Sequence, residues 1–81
     1  MPLTVRVRAR RSCTQDHRLL VVRIYWEDFP SPLRESEHQL DGCSGPLTVE
    51  FLEELREPGV YTVMADILPT GEHASFEAEF R

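Results

Sequence analysis

The chain has 81 residues, a formal net charge of −5 at pH 7, 41% hydrophobic residues and 28% charged residues. This length and composition are typical of one small globular domain and exclude a disordered segment. No apolar stretch approaches the about 20 residues of a membrane-spanning helix, and the first residues alternate instead of forming a signal peptide. We therefore expect a single domain over residues 1–81, with no membrane contact and a cytoplasmic location.

Basic and acidic residues are unevenly distributed along the chain. Residues 1–24 hold six Arg and one acidic residue, whereas residues 25–81 hold three Arg and thirteen acidic residues. Such asymmetry can indicate a nucleic-acid-binding face, but basic and acidic strands that are neighbours in a sheet explain it more simply. The chain has neither Lys nor Asn, a bias that a GC-rich bacterial or phage gene would produce.

Two strands are predicted in the first third of the chain. The segment Leu3–Arg10 alternates apolar and polar residues with period two, which is typical of a half-buried strand. After a polar turn, His17–Trp26 is apolar on both faces, which is typical of a strand in the middle of a sheet. The residues expected to face the core are Leu3, Val5, Val7, Ala9, Leu20, Val22, Ile24 and Trp26.

Turn-forming residues divide the rest of the chain into further short strands. The expected strands are Glu37–Leu40, Leu47–Phe51, Val60–Ile67 and Ala74–Phe80. The inward residues of the last strand are expected to be Ala74, Phe76, Ala78 and Phe80. Helix formers in Val49–Glu57 allow one helical turn there, but Pro58 and Gly59 would stop a longer helix. The pattern therefore predicts an all-β fold, a small antiparallel sandwich of five to seven short strands.

The segment LEELREPGVYTV joins two of these strands and is typical of a tyrosine corner. In such a corner the chain passes from one sheet to the other, and the Tyr hydroxyl bonds to upstream backbone. With the Trp that ends the second strand, this segment resembles the fibronectin type III and immunoglobulin-like sandwiches, especially their short bacterial forms. The resemblance rests on Trp26, Pro30, Leu55, Pro58, Gly59 and Tyr61. It implies a binding or spacer module with no shared active site.

Cysteines and histidines form two close pairs, Cys13-x3-His17 and His38-x4-Cys43. Four such ligands could hold zinc, but the spacings match no zinc finger or ribbon. We therefore expect no metal and no cofactor, and zinc binding by Cys13, His17, His38 and Cys43 stays open as an alternative function. The sequence GCSG near His38 lacks the strand-turn-helix setting of an activated nucleophile, so we expect no enzymatic activity.

Two surfaces are candidates for binding. Tyr25 and Phe29 could form an aromatic patch beside a Pro-rich loop, because aromatic side chains supply a large contact area. Arg6, Arg8 and Arg10 share the outward face of the first strand and could contact phosphates. A nucleic-acid binder is therefore an alternative, although a solvated row that blocks aggregation explains these Arg residues better.

We expect a non-enzymatic protein–protein interaction module that uses an edge strand or an aromatic loop patch. Its partner is another protein, and the identity of that protein is open. The Arg row is expected to lie beside Glu77 and Glu79 of the last strand, either within one chain or across a dimer edge.

Overall fold

The computed structural model of the protein describes residues 2–11, 17–40 and 45–81. These residues form six strands: β1 (Pro2–Ala9), β2 (Leu19–Trp26), β3 (Arg34–Gln39), β4 (Leu47–Glu54), β5 (Gly59–Leu68) and β6 (Glu72–Phe80). In the described ranges there is no helix, and hence none with the length and apolar character to span a bilayer.

The strands are arranged in two antiparallel sheets of unequal width. One sheet has two strands in the order β1-β4, and the other has four in the order β3-β2-β5-β6. The predicted all-β antiparallel sandwich is therefore confirmed. The strand that is apolar on both faces, β2, lies between β3 and β5, as its sequence indicates.

The core lies between the two sheets and follows the predicted alternation. Val5 of β1, Ile24 of β2 and Val63 of β5 are each at most 1% exposed. The buried core cluster consists of Val5, Ala9, Leu20, Val22, Ile24, Leu40, Val49, Val63 and Ala65. Trp26 was expected to face the core, but it is half-buried at the end of β2 and does not belong to this cluster.

Each strand differs from its predicted extent by one to three residues at one or both ends, and the differences are largest in β3 and β4. β4 continues in extended form to Glu54, so the helical turn considered for Val49–Glu57 does not form. The cause is the β1 ladder, which pairs Pro2 with Glu54 and therefore holds β4 in strand conformation to its end. β3 begins at Arg34 rather than at Glu37, because six of its residues pair with β2.

The predicted inward face of β6 is only partly covered. Ala74 and Phe76 are exposed, while Ala78 and Phe80 are half-buried, and none of the four belongs to the core cluster. The Phe76 side chain is 40% exposed. The alternation of β6 therefore marks the face directed to the inside of the sandwich, but the two-stranded sheet is too narrow to cover that face.

The passage from β4 to β5 carries the chain from the narrow sheet to the wide one. Tyr61, at the start of β5, is 2% exposed, and its hydroxyl donates a hydrogen bond to the carbonyl oxygen of Glu57 at 2.5 Å. The predicted burial of this ring and the predicted upstream hydrogen bond are both confirmed. Leu55, which precedes the turn, is 2% exposed, so apolar side chains hold the segment on both sides of the turn.

Residues at the end of β2 hold the same passage from the other side. The indole Nε1 of Trp26 donates to the carbonyl oxygen of Pro58 at 3.2 Å. Glu27 bonds Val60 twice, because its amide donates to the Val60 carbonyl at 2.8 Å and its Oε1 accepts from the Val60 amide at 2.8 Å. Gly59 lies beneath both side chains with φ at 143°. A Cβ atom there would lie 2.2 Å from the Glu27 Oε1 and 2.7 Å from the Trp26 Nε1.

Replacing Tyr61 by Phe tests the hydroxyl bond. We expect Tyr61→Phe to lower the free energy of unfolding by about 0.5–1.5 kcal/mol, because the Glu57 carbonyl loses its donor while the ring stays buried. Tyr25→Phe is the matched control, since the Tyr25 hydroxyl has no hydrogen-bond partner in the described part of the chain. Urea denaturation measures both changes, and equal midpoints for the two variants would contradict a role of the bond.

Replacing Gly59 by Ala tests the close approach at the turn. We expect Gly59→Ala to destabilise the fold by at least about 2 kcal/mol, because backbone strain of about 1–3 kcal/mol adds to a collision with Glu27 and Trp26. Gly71→Ala is the control, because Gly71 has φ at 82° and its Cβ would have no neighbour within 4 Å. Thermal unfolding should give a lower melting temperature for Gly59→Ala than for Gly71→Ala, and the reverse order would refute this interpretation.

Candidate binding surface

The unequal sheets leave a step on one side of the sandwich. β1 is paired with β4 along one edge only, and β6 is paired with β5 along one edge only, among the residues that the structure describes. Between them is a shallow groove of about 190 Å³, lined by Val7 and Arg8 of β1 and by Ala74 and Phe76 of β6. We call the unpaired edge of β1 together with the inner face of β6 the step.

The floor of the step is apolar, and its rim is charged. The floor consists of alternate residues of β6, namely Ala74, Phe76, Ala78 and Phe80. Between them, Ser75, Glu77 and Glu79 point to the opposite, outer face of the same sheet. The rim is the outward face of β1, where Arg6 and Arg8 are exposed beside the groove. The step thus combines an exposed aromatic floor, an unpaired strand edge and a basic rim.

On the opposite side of the sandwich, Arg34 bridges the two sheets. Arg34 of β3 reaches across to β4, where its guanidinium carbon lies 4.0 Å from the centroid of the Phe51 ring. Its Nη1 also donates to the Glu53 Oε2 at 3.0 Å. This contact links the wide sheet to the narrow one and covers an aromatic core residue with a cation. The two sides of the molecule are therefore unlike, because Arg34 bridges the sheets on this side, next to a groove of about 390 Å³ lined in part by Trp26, Leu33 and Glu53.

The Arg row is in part neutralised within the chain, but by another strand than expected. β1 pairs with β4, and β6 lies at the edge of the other sheet, so the expected pairing of the row with Glu77 and Glu79 inside one chain is wrong. The residue opposite Arg6 is Glu50, and the Arg6 Nε lies 2.7 Å from the Glu50 Oε2. The hydrogen bond and charge of Arg6 lower the pKa of Glu50 and, reciprocally, Glu50 raises the pKa of Arg6.

Arg8 and Arg10 differ from Arg6 in their surroundings. Arg8 lies opposite Thr48 in the ladder, and no ion pair involves Arg8 within the described residues. Arg10 follows the end of β1 and accepts a hydrogen bond from the Arg18 side chain at its carbonyl oxygen. Of the predicted row, Arg8 is thus a guanidinium that the step presents without an ion pair in the described part of the chain, although Glu72 lines the same groove.

The predicted aromatic patch is divided by the fold. Phe29 is 58% exposed, and its ring lies 5.1 Å from that of Trp26, with 32° between the ring planes. Tyr25 is half-buried and, as the residue before Trp26 in β2, it points to the opposite face of the sheet. Phe29 therefore packs with Trp26 and not with Tyr25, and the indole N–H of Trp26 is already used by the corner.

The four candidate zinc ligands fall partly outside the described residues, since Cys13 and Cys43 lie there. His17 is exposed before β2, and His38 in β3 is half-buried with its Nε2 3.0 Å from the Ser36 Oγ. In residues 2–11, 17–40 and 45–81, no three His, Cys, Asp or Glu side chains are grouped to hold a metal ion.

The Arg6–Glu50 pair should make the stability of the fold depend on pH. Because the pKa of Glu50 is lowered in the folded chain, the pair stabilises the fold above the ordinary Glu pKa, and this contribution is lost as the pH falls through the lowered value. We expect Arg6→Gln to raise the pKa of Glu50 toward its ordinary value. Arg8→Gln should leave it nearly unchanged. Carboxyl ¹³C titration by NMR measures both, and equal effects of the two variants would contradict the pairing.

Sequence and structure were compared with protein-family models, with curated proteins and with solved structures, and none of the three comparisons gives a match.

Proposed function

We propose that the protein is a non-enzymatic binding module that takes an extended segment of a protein partner into the step as an additional strand. The observation that carries this proposal is the exposed Phe76 floor directly beside the unpaired edge of β1. A strand edge and an apolar groove, when adjacent, supply both the main-chain hydrogen bonds and the side-chain contacts that strand addition uses.

The step defines the chemistry of the segment that fits it. A strand paired with β1 directs every second side chain onto the floor and the others outward beside Arg6 and Arg8. The floor side chains should be apolar, because full burial of a Phe such as Phe76 contributes about 1.5–3 kcal/mol relative to full exposure. The outward ones should be acidic, because Arg8 presents a charge to them. The expected partner segment therefore alternates apolar and acidic residues.

We also propose that the sandwich is of the fibronectin type III or immunoglobulin-like kind. The Tyr61 hydroxyl bond to the Glu57 carbonyl supports this proposal, and so does the Trp26 indole packed at the same corner. Domains of this kind act mainly as binding or spacer modules, so the fold proposal agrees with the proposed function without carrying it.

A protein segment suits the step better than nucleic acid does. Arg6 is already paired with Glu50, and the floor next to it is apolar rather than basic. The net charge of −5 would repel a phosphate backbone over most of the surface. The aromatic patch is a smaller candidate surface, because Trp26 is engaged by Pro58 and only Phe29 extends into solvent.

A peptide titration tests the proposal. The probe is the nine-residue peptide EHASFEAEF, which alternates as the step requires, and its control is the same composition with the four apolar residues placed together. Dye-labelled protein is held at nanomolar concentration, and the peptide is added in excess. We expect a saturable change in the dye signal with the alternating peptide only.

Two matched variants locate the binding surface. Phe76→Ser removes the floor and should weaken peptide binding about tenfold, the effect of losing about 1.4 kcal/mol. Phe29→Ser removes a more exposed Phe, that of the aromatic patch, and should leave binding unchanged. Sensitivity to Phe29→Ser alone would assign binding to the aromatic patch, and absence of saturable binding by either peptide would refute the proposed function.

A further inference from the structure

We infer that the segment that occupies the step is β6 of a second copy of this chain, in a two-fold symmetric dimer. The inference rests on the proposed function, because it names the partner of the same surface. β6 itself has the required pattern, with Ala and Phe on one face and Ser75, Glu77 and Glu79 on the other. The protein thus carries both the step and a strand that fits it.

The relative positions of β1 and β6 set the geometry. Val7 and Ala9 of β1 line one groove with residues 72–74 of β6, and Arg6 and Val7 line the adjoining groove with residues 74–76. As the numbering rises along β1 it falls along β6, so the two strands run antiparallel. In these grooves β1 lies over Ala65 of β5, which leaves β6 projecting one strand beyond the narrow sheet.

A two-fold axis parallel to the strands completes both sheets at once. It sets the inner faces of the two β6 strands against each other and brings each β6 edge beside the unpaired β1 edge of the other copy. Because rotation about such an axis preserves strand direction, each β1 meets its partner's β6 in antiparallel orientation. The β1-β4 sheet of one copy then continues into the β6-β5-β2-β3 sheet of the other, and the assembly closes without a further open step.

The contact is large enough for a stable dimer. The interface consists of two eight-residue ladders and of the two β6 strands that face each other. With strands about 4.8 Å apart, sheets about 10 Å apart and a rise of about 3.3 Å per residue, it buries roughly 1,300 Å² of surface. Stable interfaces bury about 1,200–2,000 Å². The interface also covers Phe76, which otherwise remains 40% exposed.

Charge and edge character favour this contact over other strand edges. The outward face of β1 comes to lie beside the outward face of the other copy's β6, where Glu77 is the diagonal neighbour of Arg6. β6 contains no Pro, a residue that commonly protects an edge from pairing. β3 offers only a short polar edge, RESEHQ, and the open side of β4 is flanked by Arg34.

A charge introduced at Ser75 tests the inference. An axis parallel to the strands keeps every residue at its own level, so the groove that sets residues 6–8 of β1 level with residues 74–76 of β6 places Ser75 of one copy opposite Arg6 of the other. Ser75→Arg therefore sets two Arg against each other in both contacts and should raise the dissociation constant about tenfold, since the charges lie within a Debye length of about 8–10 Å. Ser75→Glu is the matched control, because it sets opposite charges against each other and should not raise the dissociation constant.

Sedimentation velocity on the full chain measures these states. We expect wild-type protein and Ser75→Glu to sediment as dimers at micromolar concentration and Ser75→Arg to shift toward monomer. Circular dichroism checks folding, which both substitutions should leave intact because Ser75 is exposed and its side chain has no hydrogen bond or ion pair within the described residues. Should either variant fail to fold, Phe76→Ser gives the second test and should yield monomer, whereas Leu52→Ser should not.

Leu52 is the control for exposed apolar area, because it is 65% exposed on β4, away from the step. A monomeric wild-type chain at hundreds of micromolar would overturn the dimer, and so would a dimer unaffected by Ser75→Arg and Phe76→Ser. Peptide binding by a monomeric chain would leave the proposed function standing and refute this inference alone. Loss of both peptide binding and dimerisation would refute both.

Discussion

The passage from β4 to β5 determines how the strands are shared between the sheets. β4 ends in the narrow sheet and β5 begins in the wide one, and the Tyr61 hydroxyl, the Trp26 indole and the Glu27 carboxylate all bond backbone in this short segment. If β5 continued beside β4, β2 would lose its central position and β6 would have no wide sheet to extend. The core, the bridge at Arg34 and the step at β6 all follow from this one change of sheet.

Much of the architecture could be predicted because each strand carries its own alternation. Val5, Ile24 and Val63 are buried where period two places them, and the Pro58-Gly59-x-Tyr61 segment predicted the burial and bonding of Tyr61. The alternation of β6 also indicated correctly which face is turned inward. It could not indicate that this face would remain uncovered, because coverage depends on how many strands the opposite sheet contains and not on the sequence of β6.

The alternation of single strands could not predict which strand pairs with β1 and its Arg row. Strand pairing is set by the whole topology, and two acidic strands, β4 and β6, offered suitable residues. The ladder selects β4, so that Arg6 meets Glu50. The uneven distribution of charge along the chain is in turn balanced in space, since Arg23 meets Glu35 and Arg34 meets Glu53. Such exposed pairs contribute about 0–1 kcal/mol each to the free energy of unfolding. Their main effect is therefore on which strands pair and in which register.

The β1–β4 ladder has a consequence for the order in which the chain folds. β5 and β6 are joined by a short turn and can pair as a local hairpin, and β2 and β3 are also close in sequence. By contrast, Arg6 and Glu50 are 44 residues apart, and closing so long a loop is slow relative to forming a hairpin. Because β1 precedes β4 in the sequence with β2 and β3 between them, we expect the β1–β4 ladder to form after the two local hairpins.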